Sequence, residues 1–495
     1  MLRGEISEQE RGAGTRRATV LALLFVFGLT VLRLLTVWLS PLELDAEEAQ
    51  YWTWSRDLAF GYFSKPPLIA WAISAATAWC GDGEGCIRTP PALLHVLAAV
   101  FVFLAARRLF DARVAAWSAA AYASLPGVAL SASVMTTDAP LLACWAAALW
   151  CYVRFVERPG LATAWPLGLA LGLGLLSKYA MGYFLLSVVL HLVVAPAARR
   201  AAWSQAGLLA LALALAILAP NLAWNVTHGF ATFGHTAANI GWSGSLLHPD
   251  RLAAFAASQF AVFGPLPLAV LLWRLWRLAR GEAAGPAERL LLAFTLPVLL
   301  LLLTQSLLSR AHANWAATAY VAAAILVPAW LLGRGRGAWL KAAVGLDLAL
   351  GLLLQVAAVT AASRWLPGQR DPLDRVRGWE QVATASAAAL ATRPGARLLL
   401  DDRQVAALML YYGRGRLDRL TVWDSDGRPS NQFEATRGFR SAGDGPVLLL
   451  ARYRERPDIV GRFASVEPVR PLSQPLGQGG RTVYLTWLAG YRGKP

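Results

Sequence analysis

The residues of this chain that could do chemistry are scattered acids and cations at the ends of long apolar stretches. Asp45-Ala46-Glu47-Glu48 follows the first such stretch, and Tyr62-Phe63-Ser64-Lys65 lies in the same polar interval. A carboxylate can act as a general base, and cations can stabilise a phosphate anion. Residues of these types on one side of a membrane could form an active site at the membrane surface. Later members of the set are Asp138, Lys178, His235, Arg310 and His312.

The acidic segment also has a structural interpretation. Asp45 followed three residues later by Glu48 is a capping box that begins a helix. Trp52 and Trp54 would then anchor that helix at the membrane interface. Because capping leaves Glu47 unexplained, we predict catalytic or metal-binding use of Asp45 and leave a simultaneous capping role open.

Lysine usage draws attention to Lys65 and Lys178. Only four of the 46 basic residues are lysines, so the chain uses arginine wherever any positive charge suffices. A compact ammonium suits a single phosphate oxygen. Lys65 also precedes Pro66-Pro67, which suit the first turn of an interfacial helix whose amides attract anions. We predict phosphate contacts for both lysines; the alternative is that they only extend to the interface.

Two other motifs place polar side chains beside apolar stretches. Asp138 precedes Pro140 at the start of one stretch, so it could contact a substrate or serve as the helix N-cap. In Ser309-Arg310-Ala311-His312-Ala313-Asn314-Trp315, Arg310 could clamp a phosphate. Asn314 could contact a substrate or cap the next helix.

The composition indicates a helical membrane protein. Of 495 residues, 57% are hydrophobic, which excludes a soluble globular protein. The formal charge of +16 is spread through short loops, and no basic helix face indicates nucleic-acid binding. About eleven apolar stretches could span a bilayer: 18–40, 89–106, 114–133, 140–156, 162–177, 180–197, 204–220, 252–273, 290–308, 314–332 and 342–362.

Arginine clusters mark alternate loops between these stretches. The positive-inside rule then places the N-terminus in the cytoplasm and, with an odd number of spans, the C-terminus outside. Cys80 and Cys86 lie in the acidic outer interval, where an oxidising compartment would allow a disulfide.

The C-terminal part of the chain has a different pattern. Short strand-like runs alternate with Gly, Pro and Asp turns, and a helix-like stretch covers roughly 373–392. We predict a transmembrane domain at 1–362 and a small periplasmic α/β domain at 363–495.

Five motifs in order resemble a known group of membrane enzymes. They are Asp45-x-Glu47-Glu48, Tyr62-Phe63-Ser64-Lys65-Pro66-Pro67, Ala105-Ala106-Arg107-Arg108-Leu109-Phe110, Thr136-Thr137-Asp138-Ala139-Pro140 and Gly174-Leu175-Leu176-Ser177-Lys178-Tyr179. The chain resembles glycosyltransferase family 39/83, which includes protein O-mannosyltransferases, aminoarabinose transferases and lipid A galacturonosyltransferases. The 309–315 motif extends the match, which covers roughly 20–330, and Asp371-Pro372 and Arg377-Gly378-Trp379 fit more loosely.

The resemblance implies the GT-C fold: an all-α polytopic membrane protein with interfacial helices in the first outer loop, to which the small C-terminal α/β domain is added. It implies transfer of a sugar from a polyprenyl-phosphate carrier at the outer face of the inner membrane. Asp45 matches the catalytic position, with Glu47 or Glu48 as the second acid. Lys65 matches the lysine that contacts the carrier phosphate, and we add Lys178 and Arg310. Further candidate substrate-binding residues are Tyr62, Asp138, Tyr179, His312 and Asn314.

One position departs from the family pattern. In the aminoarabinose branch, an acidic residue that helps to hold a metal precedes the phosphate-binding lysine, whereas this chain has Ser64. We therefore predict no metal ligands and assign no cofactor, although a divalent cation stays open. The same departure puts aminoarabinose in doubt as the sugar.

The predicted partners are a polyprenyl-phosphate sugar donor, membrane lipids, and a glycolipid or glycan acceptor such as lipid A or its core. The main alternative is a lipid or sugar transporter or flippase without transferase chemistry. Transporters place ionisable residues near the midplane on broken helices. We expect only Arg33 well inside a span, extending outward, and this counts against a transporter. A transferase that uses diphosphate-linked donors is a second alternative.

Overall fold

The computed structural model describes residues 8–241, 247–361, 372–440, 445–472 and 482–493. Asp371 of the loosely fitting motif lies outside these ranges. The chain divides into two compact units. The first comprises Met1–Trp38, Lys65–Ile69 and Arg88–Val356, and the second comprises Leu39–Ser64, Ala70–Ile87 and Ala357–Pro495.

The described residues are mainly helical. The helices are α1 (Glu8–Leu39), α2 (Ala46–Ser55), α3 (Leu68–Cys80), α4 (Glu84–Ile87), α5 (Thr89–Leu109), α6 (Ala112–Ser124), α7 (Pro126–Ser131), α8 (Asp138–Glu157), α9 (Leu161–Ser177), α10 (Gly182–Val194), α11 (Pro196–Ala202), α12 (Gln205–Thr227), α13 (Ala231–Ile240), α14 (Pro249–Phe263), α15 (Pro265–Ala279), α16 (Pro286–Leu308), α17 (Ala317–Gly333), α18 (Gly337–Thr360), α19 (Trp379–Ala391), α20 (Arg403–Tyr412), α21 (Gln432–Arg437) and α22 (Pro457–Val460). Short 3₁₀ helices cover Tyr179–Met181, Ala313–Ala316 and Pro372–Val376.

The eleven predicted apolar stretches are mainly helical within the described residues, but the count of eleven spans is not confirmed. Helices α9 and α10 have only 17 and 13 residues. The stretch 114–133 is divided into α6 and α7, because Pro126 begins a new helix there. Within the described residues, seven helices are long and apolar enough to cross a bilayer: Arg16–Leu39, Glu84–Leu109, Asp138–Glu157, Gln205–Thr227, Pro286–Leu308, Ala313–Gly333 and Gly337–Thr360.

The predicted apolar stretch 252–273 is interrupted by a sharp bend. Helices α14 and α15 meet at Gly264 with a bend of 116°. Gly264 has a φ of +92°, which glycine adopts at little cost. A Cβ atom at this position would overlap the carboxylate of Asp347 on α18, so the break is tightly packed.

Two charged residues are buried inside spans, contrary to the expectation of an almost uncharged interior. Arg33 does not extend outward; its Nη2 donates to the carbonyl of Ala123 at 2.6 Å. Asp347 is 1% exposed, and its Oδ1 has no hydrogen-bond partner among the described residues. An uncharged interior therefore gives no ground for excluding a transporter.

Small residues on α9, the helix that directly precedes Lys178, allow α12 to pack closely against it. A Cβ atom added to Gly172 would lie 2.7 Å from the Cβ of Ile217. One added to Gly168 would lie 2.9 Å from the Cβ of Leu213. Close packing at small residues is common between membrane helices, and here it fixes the helix that carries Lys178.

The C-terminal sheet confirms the predicted small α/β region. Its strands are β1 (Arg397–Leu400), β2 (Leu420–Val422), β3 (Val447–Ala451), β4 (Phe463–Val466), β5 (Arg470–Leu472) and β6 (Val483–Tyr491). Their order is β2-β1-β3-β6-β4, and β5 also pairs with β6. The neighbours β2, β1 and β3 are parallel, whereas β6 is antiparallel to β3, β4 and β5. Strand β3 is entirely buried, as expected for an apolar central strand.

A disulfide lies in the first polar interval of the second unit. Cys80 at the end of α3 is bonded to Cys86 in α4, as the sequence allowed. Between them, Asp82 accepts a hydrogen bond from Trp52 Nε1 at 2.8 Å and forms an ion pair with Arg56. These contacts fix α2, the helix that begins at the acidic segment.

Candidate active site

A buried carboxylate connects three predicted site residues of the first unit. Asp138 accepts hydrogen bonds from Lys178 Nζ at 2.7 Å and from Asn314 Nδ2 at 2.5 Å. Lys65 interacts electrostatically with the same carboxylate. The side chains of Asp138 and Lys178 are only 10% and 18% exposed, so water screens their attraction less than it would at a surface.

Neither capping alternative holds for Asp138 or Asn314. Thr137 occupies the N-cap position of α8, and Asp138 is the first helical residue, with its side chain turned to Lys178. Asn314 lies inside the 3₁₀ helix Ala313–Ala316. It donates to Asp138, 176 positions away in sequence. Both side chains therefore serve the cluster rather than a helix end.

Tyr179 belongs to an amide network that the sequence analysis did not find. Its hydroxyl donates to Asn221 Oδ1 at 2.7 Å and accepts from Asn225 Nδ2 at 3.2 Å. Both asparagines are fully buried in α12, and the ring of Tyr179 stacks on Phe233. The signal available in the sequence was two asparagines one turn apart in an apolar helix, directly after Pro220.

The other predicted residues of this unit are more exposed. Arg310 is exposed, and its guanidinium forms no ion pair with any residue that the structure describes. Its backbone carbonyl accepts from Gln305 Nε2 at 3.2 Å. His312 is exposed and lies edge-on to Trp315.

The acidic segment of the second unit does form the capping box. The Glu47 amide donates to Asp45 Oδ1 at 3.1 Å, and the Asp45 amide donates to Glu48 Oε2 at 3.0 Å. Glu48 is 1% exposed, so its role here is structural. Glu47 is exposed and accepts from the Tyr51 hydroxyl at 3.2 Å. Asp45 therefore caps α2 while its Oδ2 faces another partner.

That partner is Arg375, which the sequence analysis missed. Its Nε lies 3.3 Å from Oδ2 of Asp45. Burial raises the pKa of Asp45 above its ordinary value, and the amide of Glu47 and the charge of Arg375 limit the rise. A partly desolvated carboxylate of this kind has the properties of a general base. The sequence carried no signal, because arginines are abundant in this chain.

Glu43 fixes the acidic segment to the start of α19. Its carboxylate accepts from the amides of Trp379 and Glu380 at 2.5 and 3.1 Å, and its own amide donates to the Val376 carbonyl at 3.0 Å. Gly378 precedes α19 with a φ of +78°. The loosely matching motif Arg377-Gly378-Trp379 is therefore a docking point for the segment that carries Asp45.

Tyr62 packs inside the second unit. Its ring stacks on Trp54 with centroids 4.7 Å apart, and its hydroxyl bonds to backbone groups of Trp54, Asp57 and Ala59. Burial raises the pKa of Tyr62 to about 12. These contacts explain Tyr62 as a structural residue without a substrate.

The described residues contain no group of three or more His, Cys, Asp or Glu side chains that could hold a metal ion. Ser64, at the position that is acidic in the aminoarabinose branch, is buried.

The fold of this chain is shared with solved structures of ArnT. The structure is similar to the crystal structure of ArnT from Cupriavidus metallidurans in the apo state, with a TM-score of 0.65, 17% identity, and coverage of 95% of this chain and 98% of that chain. It is also similar to ArnT bound to undecaprenyl phosphate, with a TM-score of 0.62, 17% identity, and coverage of 94% and 97%.

Sequence comparison gives the family. The family model described as dolichyl-phosphate-mannose-protein mannosyltransferase matches residues 64–224. Lipid A galacturonosyltransferase RgtD from Rhizobium johnstonii is 35% identical over 86% of this chain and 90% of that protein. The chain belongs to the family of multi-pass membrane glycosyltransferases that contains this lipid A galacturonosyltransferase. A glycosyltransferase, rather than a transporter, is therefore the correct class.

Proposed function

We propose that this protein transfers a galacturonosyl residue from a polyprenyl-phosphate carrier to lipid A or its core. The observation that carries the choice of sugar and acceptor is the similarity to the lipid A galacturonosyltransferase over nearly the full length of both chains. The proposal for the carrier is supported by the similarity to ArnT, whose structure contains undecaprenyl phosphate.

The cations are assigned to the carrier phosphate. When the bond between the sugar and the phosphate breaks, the carrier retains a phosphate monoester, whose charge must be stabilised as it develops. Lys178 is held in place by its hydrogen bond to Asp138, and Lys65 interacts electrostatically with the same carboxylate. Arg310 supplies a further exposed guanidinium. Asp138 orients the lysines and does not itself take part in bond breaking.

Asp45 is assigned as the general base. The acceptor hydroxyl loses its proton to the Asp45 carboxylate while its oxygen forms the new bond to the anomeric carbon. The bond from that carbon to the phosphate oxygen breaks, and its electron pair stays on the phosphate. Partial desolvation of Asp45 makes it a stronger base than an exposed aspartate.

The reaction is assigned to the outer face of the inner membrane, with the N-terminus in the cytoplasm and residues 363–495 in the periplasm. Arginine-rich loops support this orientation. The disulfide between Cys80 and Cys86 supports it as well, because disulfides persist in the periplasm and are rare in the cytosol.

The direct test uses purified protein with synthetic polyprenyl-phosphate galacturonic acid and lipid A. Mass spectrometry should show one galacturonosyl addition to the acceptor and release of the polyprenyl phosphate. Lys65→Ala should raise the KM for the donor, whereas Lys341→Ala, which removes an exposed lysine of α18, should not. Absence of transfer by the active preparation, or equal effects of the two substitutions, would contradict the proposal.

A further inference from the structure

Arg375 is paired with Asp45 through one of its three guanidinium nitrogens. Its Nε faces Asp45, but its two terminal nitrogens have no hydrogen-bond or ion-pair partner among the described residues. Its side chain is 66% exposed. Five other arginines in this part of the chain do bind acids of the protein through terminal nitrogens: Arg377, Arg393, Arg416, Arg452 and Arg456.

The backbone of Arg375 is held firmly although its side chain is exposed. The Arg375 carbonyl accepts from Trp379 Nε1 at 3.0 Å, and Trp379 is buried. The neighbouring Val376 carbonyl accepts from the Glu43 amide at 3.0 Å. The backbone around Arg375 is therefore bonded to α19 on one side and to the segment that carries Asp45 on the other. The ion pair through Nε leaves the fork of terminal nitrogens available beside the carboxylate.

Resting on the proposed function, we propose that the terminal nitrogens of Arg375 bind the ring carboxylate of the uronosyl donor and make the enzyme selective for an acidic sugar. A planar guanidinium fork matches a carboxylate with two parallel hydrogen bonds. The sugar of the donor is the one reactant that must carry such a group in galacturonosyl transfer.

The carrier phosphate fits this position less well. In a direct displacement, the attacking oxygen and the leaving group lie on opposite faces of the sugar ring. Asp45 acts on the attacking hydroxyl, so a group paired with Asp45 belongs to the attacking side rather than the phosphate side. The sugar carboxylate is a substituent of the ring, and a group on the attacking side of the ring can contact it.

Arg375 also solves an electrostatic problem. A uronosyl carboxylate brought near the carboxylate of Asp45 would be repelled, because like charges at short range disfavour each other. One guanidinium between the two carboxylates offsets this repulsion. A neutral hexosyl donor has no carboxylate to pair with these nitrogens. The uronosyl donor is therefore bound more tightly than the neutral donor, and this difference in affinity gives the specificity.

The test compares two synthetic donors, polyprenyl-phosphate galacturonic acid and polyprenyl-phosphate galactose, which differ only in the carboxylate. Rates are measured at a pH high enough for Asp45 to be fully ionised. Arg375→Gln should lower kcat/KM for the uronosyl donor by roughly 10- to 100-fold and leave the galactosyl donor within about twofold. Arg375→Lys should restore part of the loss. Arg393→Gln, which removes another partly exposed paired arginine, is the matched control.

The possible results separate this inference from the proposed function. Equal losses with both donors, or a loss confined to the KM of the acceptor, would overturn the role of Arg375 in sugar selection. Transfer by the wild-type protein from neither donor would instead overturn the proposed function. Melting temperatures of all variants show whether a loss reflects misfolding, and the comparison of Lys with Gln at position 375 remains informative in that case.

Discussion

Asp45 shows how one carboxylate can serve a helix and a reaction at once. Its Oδ1 caps α2, and its Oδ2 faces Arg375. Asn is as good an N-cap as Asp, so Asp45→Asn retains the capping group and removes the base, together with the charge that faces Arg375. We expect a loss of turnover of at least about 100-fold, with an unchanged melting temperature.

The measurement for Asp45→Asn is single-turnover transfer by the purified variant. Asp45→Ala is the control that removes the cap as well, and it should lower the melting temperature in addition to the rate. Near-normal turnover by Asp45→Asn would show that another group accepts the proton.

The acid limb of the pH profile should report Asp45. Burial raises the pKa of this carboxyl, so the base becomes protonated and the rate falls at a higher pH than for an ordinary aspartate. Arg375 opposes the rise, so Arg375→Gln should move the acid limb to still higher pH. The pH dependence of kcat/KM for the two proteins measures this shift, and a shift to lower pH would show that Asp45 is not the titrating group.

The buried pair between Asp138 and Lys178 should matter for stability, whereas a similar pair at the other end of α8 should not. Asp138→Asn leaves a largely buried ammonium without its counter-charge, which costs on the order of 3 kcal/mol. Glu157, at the other end of α8, forms an exposed pair with Arg108 of α5, and Glu157→Gln should cost about 1 kcal/mol or less. Thermal unfolding in detergent compares the two variants. Equal stabilities would show that the buried pair contributes nothing beyond a surface contact.

At the scale of elements, the sequence predicted which stretches are helical better than where the helices break. Apolar runs predict helices whether or not they continue straight. Two predicted spans are interrupted, one at Leu125 and one at Gly264. Leu125 precedes a proline that begins a new helix, and Gly264 has a positive φ. Neither backbone effect can be recognised from hydrophobicity. The C-terminal sheet was predicted from its short strands and turns, but its mixed strand order depends on pairing across long sequence separations.

In the candidate site too, the sequence predicted individual residues but not the contacts between them. Asp45, Lys65, Asp138 and Lys178 stand out in the sequence because an acid or a rare lysine at the end of an apolar stretch needs an explanation. The bond between Asp138 and Asn314 joins residues on separate elements, and no local pattern predicts it. Arg375 was missed because its importance comes only from the neighbour that folding brings to it.

The bend at Gly264 makes a prediction about packing. Gly264→Ala should destabilise the protein in two ways, because the backbone is left-handed and the new Cβ would overlap Asp347. Gly281 has a similar φ of +89° but nothing within 4 Å of an added Cβ. Gly281→Ala should therefore cost only the conformational strain, roughly 1–2 kcal/mol.

Unfolding temperatures in detergent separate these two contributions. Asp347→Ala introduced into the Gly264→Ala variant should recover part of the lost stability, since it removes the overlapping carboxylate. If Gly264→Ala and Gly281→Ala are equally destabilising, or the second substitution recovers nothing, the carboxylate of Asp347 does not restrict this bend.

At the scale of the whole molecule, membership of the glycosyltransferase family determines the class of reaction but not the orientation of the chain. The predicted orientation rested on eleven spans, and the helices of the described residues do not confirm that number. Orientation is therefore best tested with residues already in the chain. Cys80 and Cys86 are bonded in the second unit, whereas Cys144 and Cys151 lie within α8.

In intact cells, a membrane-impermeant thiol reagent should label Cys80 and Cys86 after mild reduction, because the proposed topology places their loop in the periplasm. Replacement of both by Ser should abolish this labelling. Ala283→Cys, introduced into that variant, puts a thiol in the exposed loop between α15 and α16. This loop and the adjoining helix ends carry Arg274, Arg277, Arg280 and Arg289, so it is expected inside. The introduced thiol should react only after the membrane is permeabilised. The reverse pattern, with position 283 labelled in intact cells and Cys80 and Cys86 protected, would place the segment that carries Asp45 in the cytoplasm and remove the proposed reaction from the outer face.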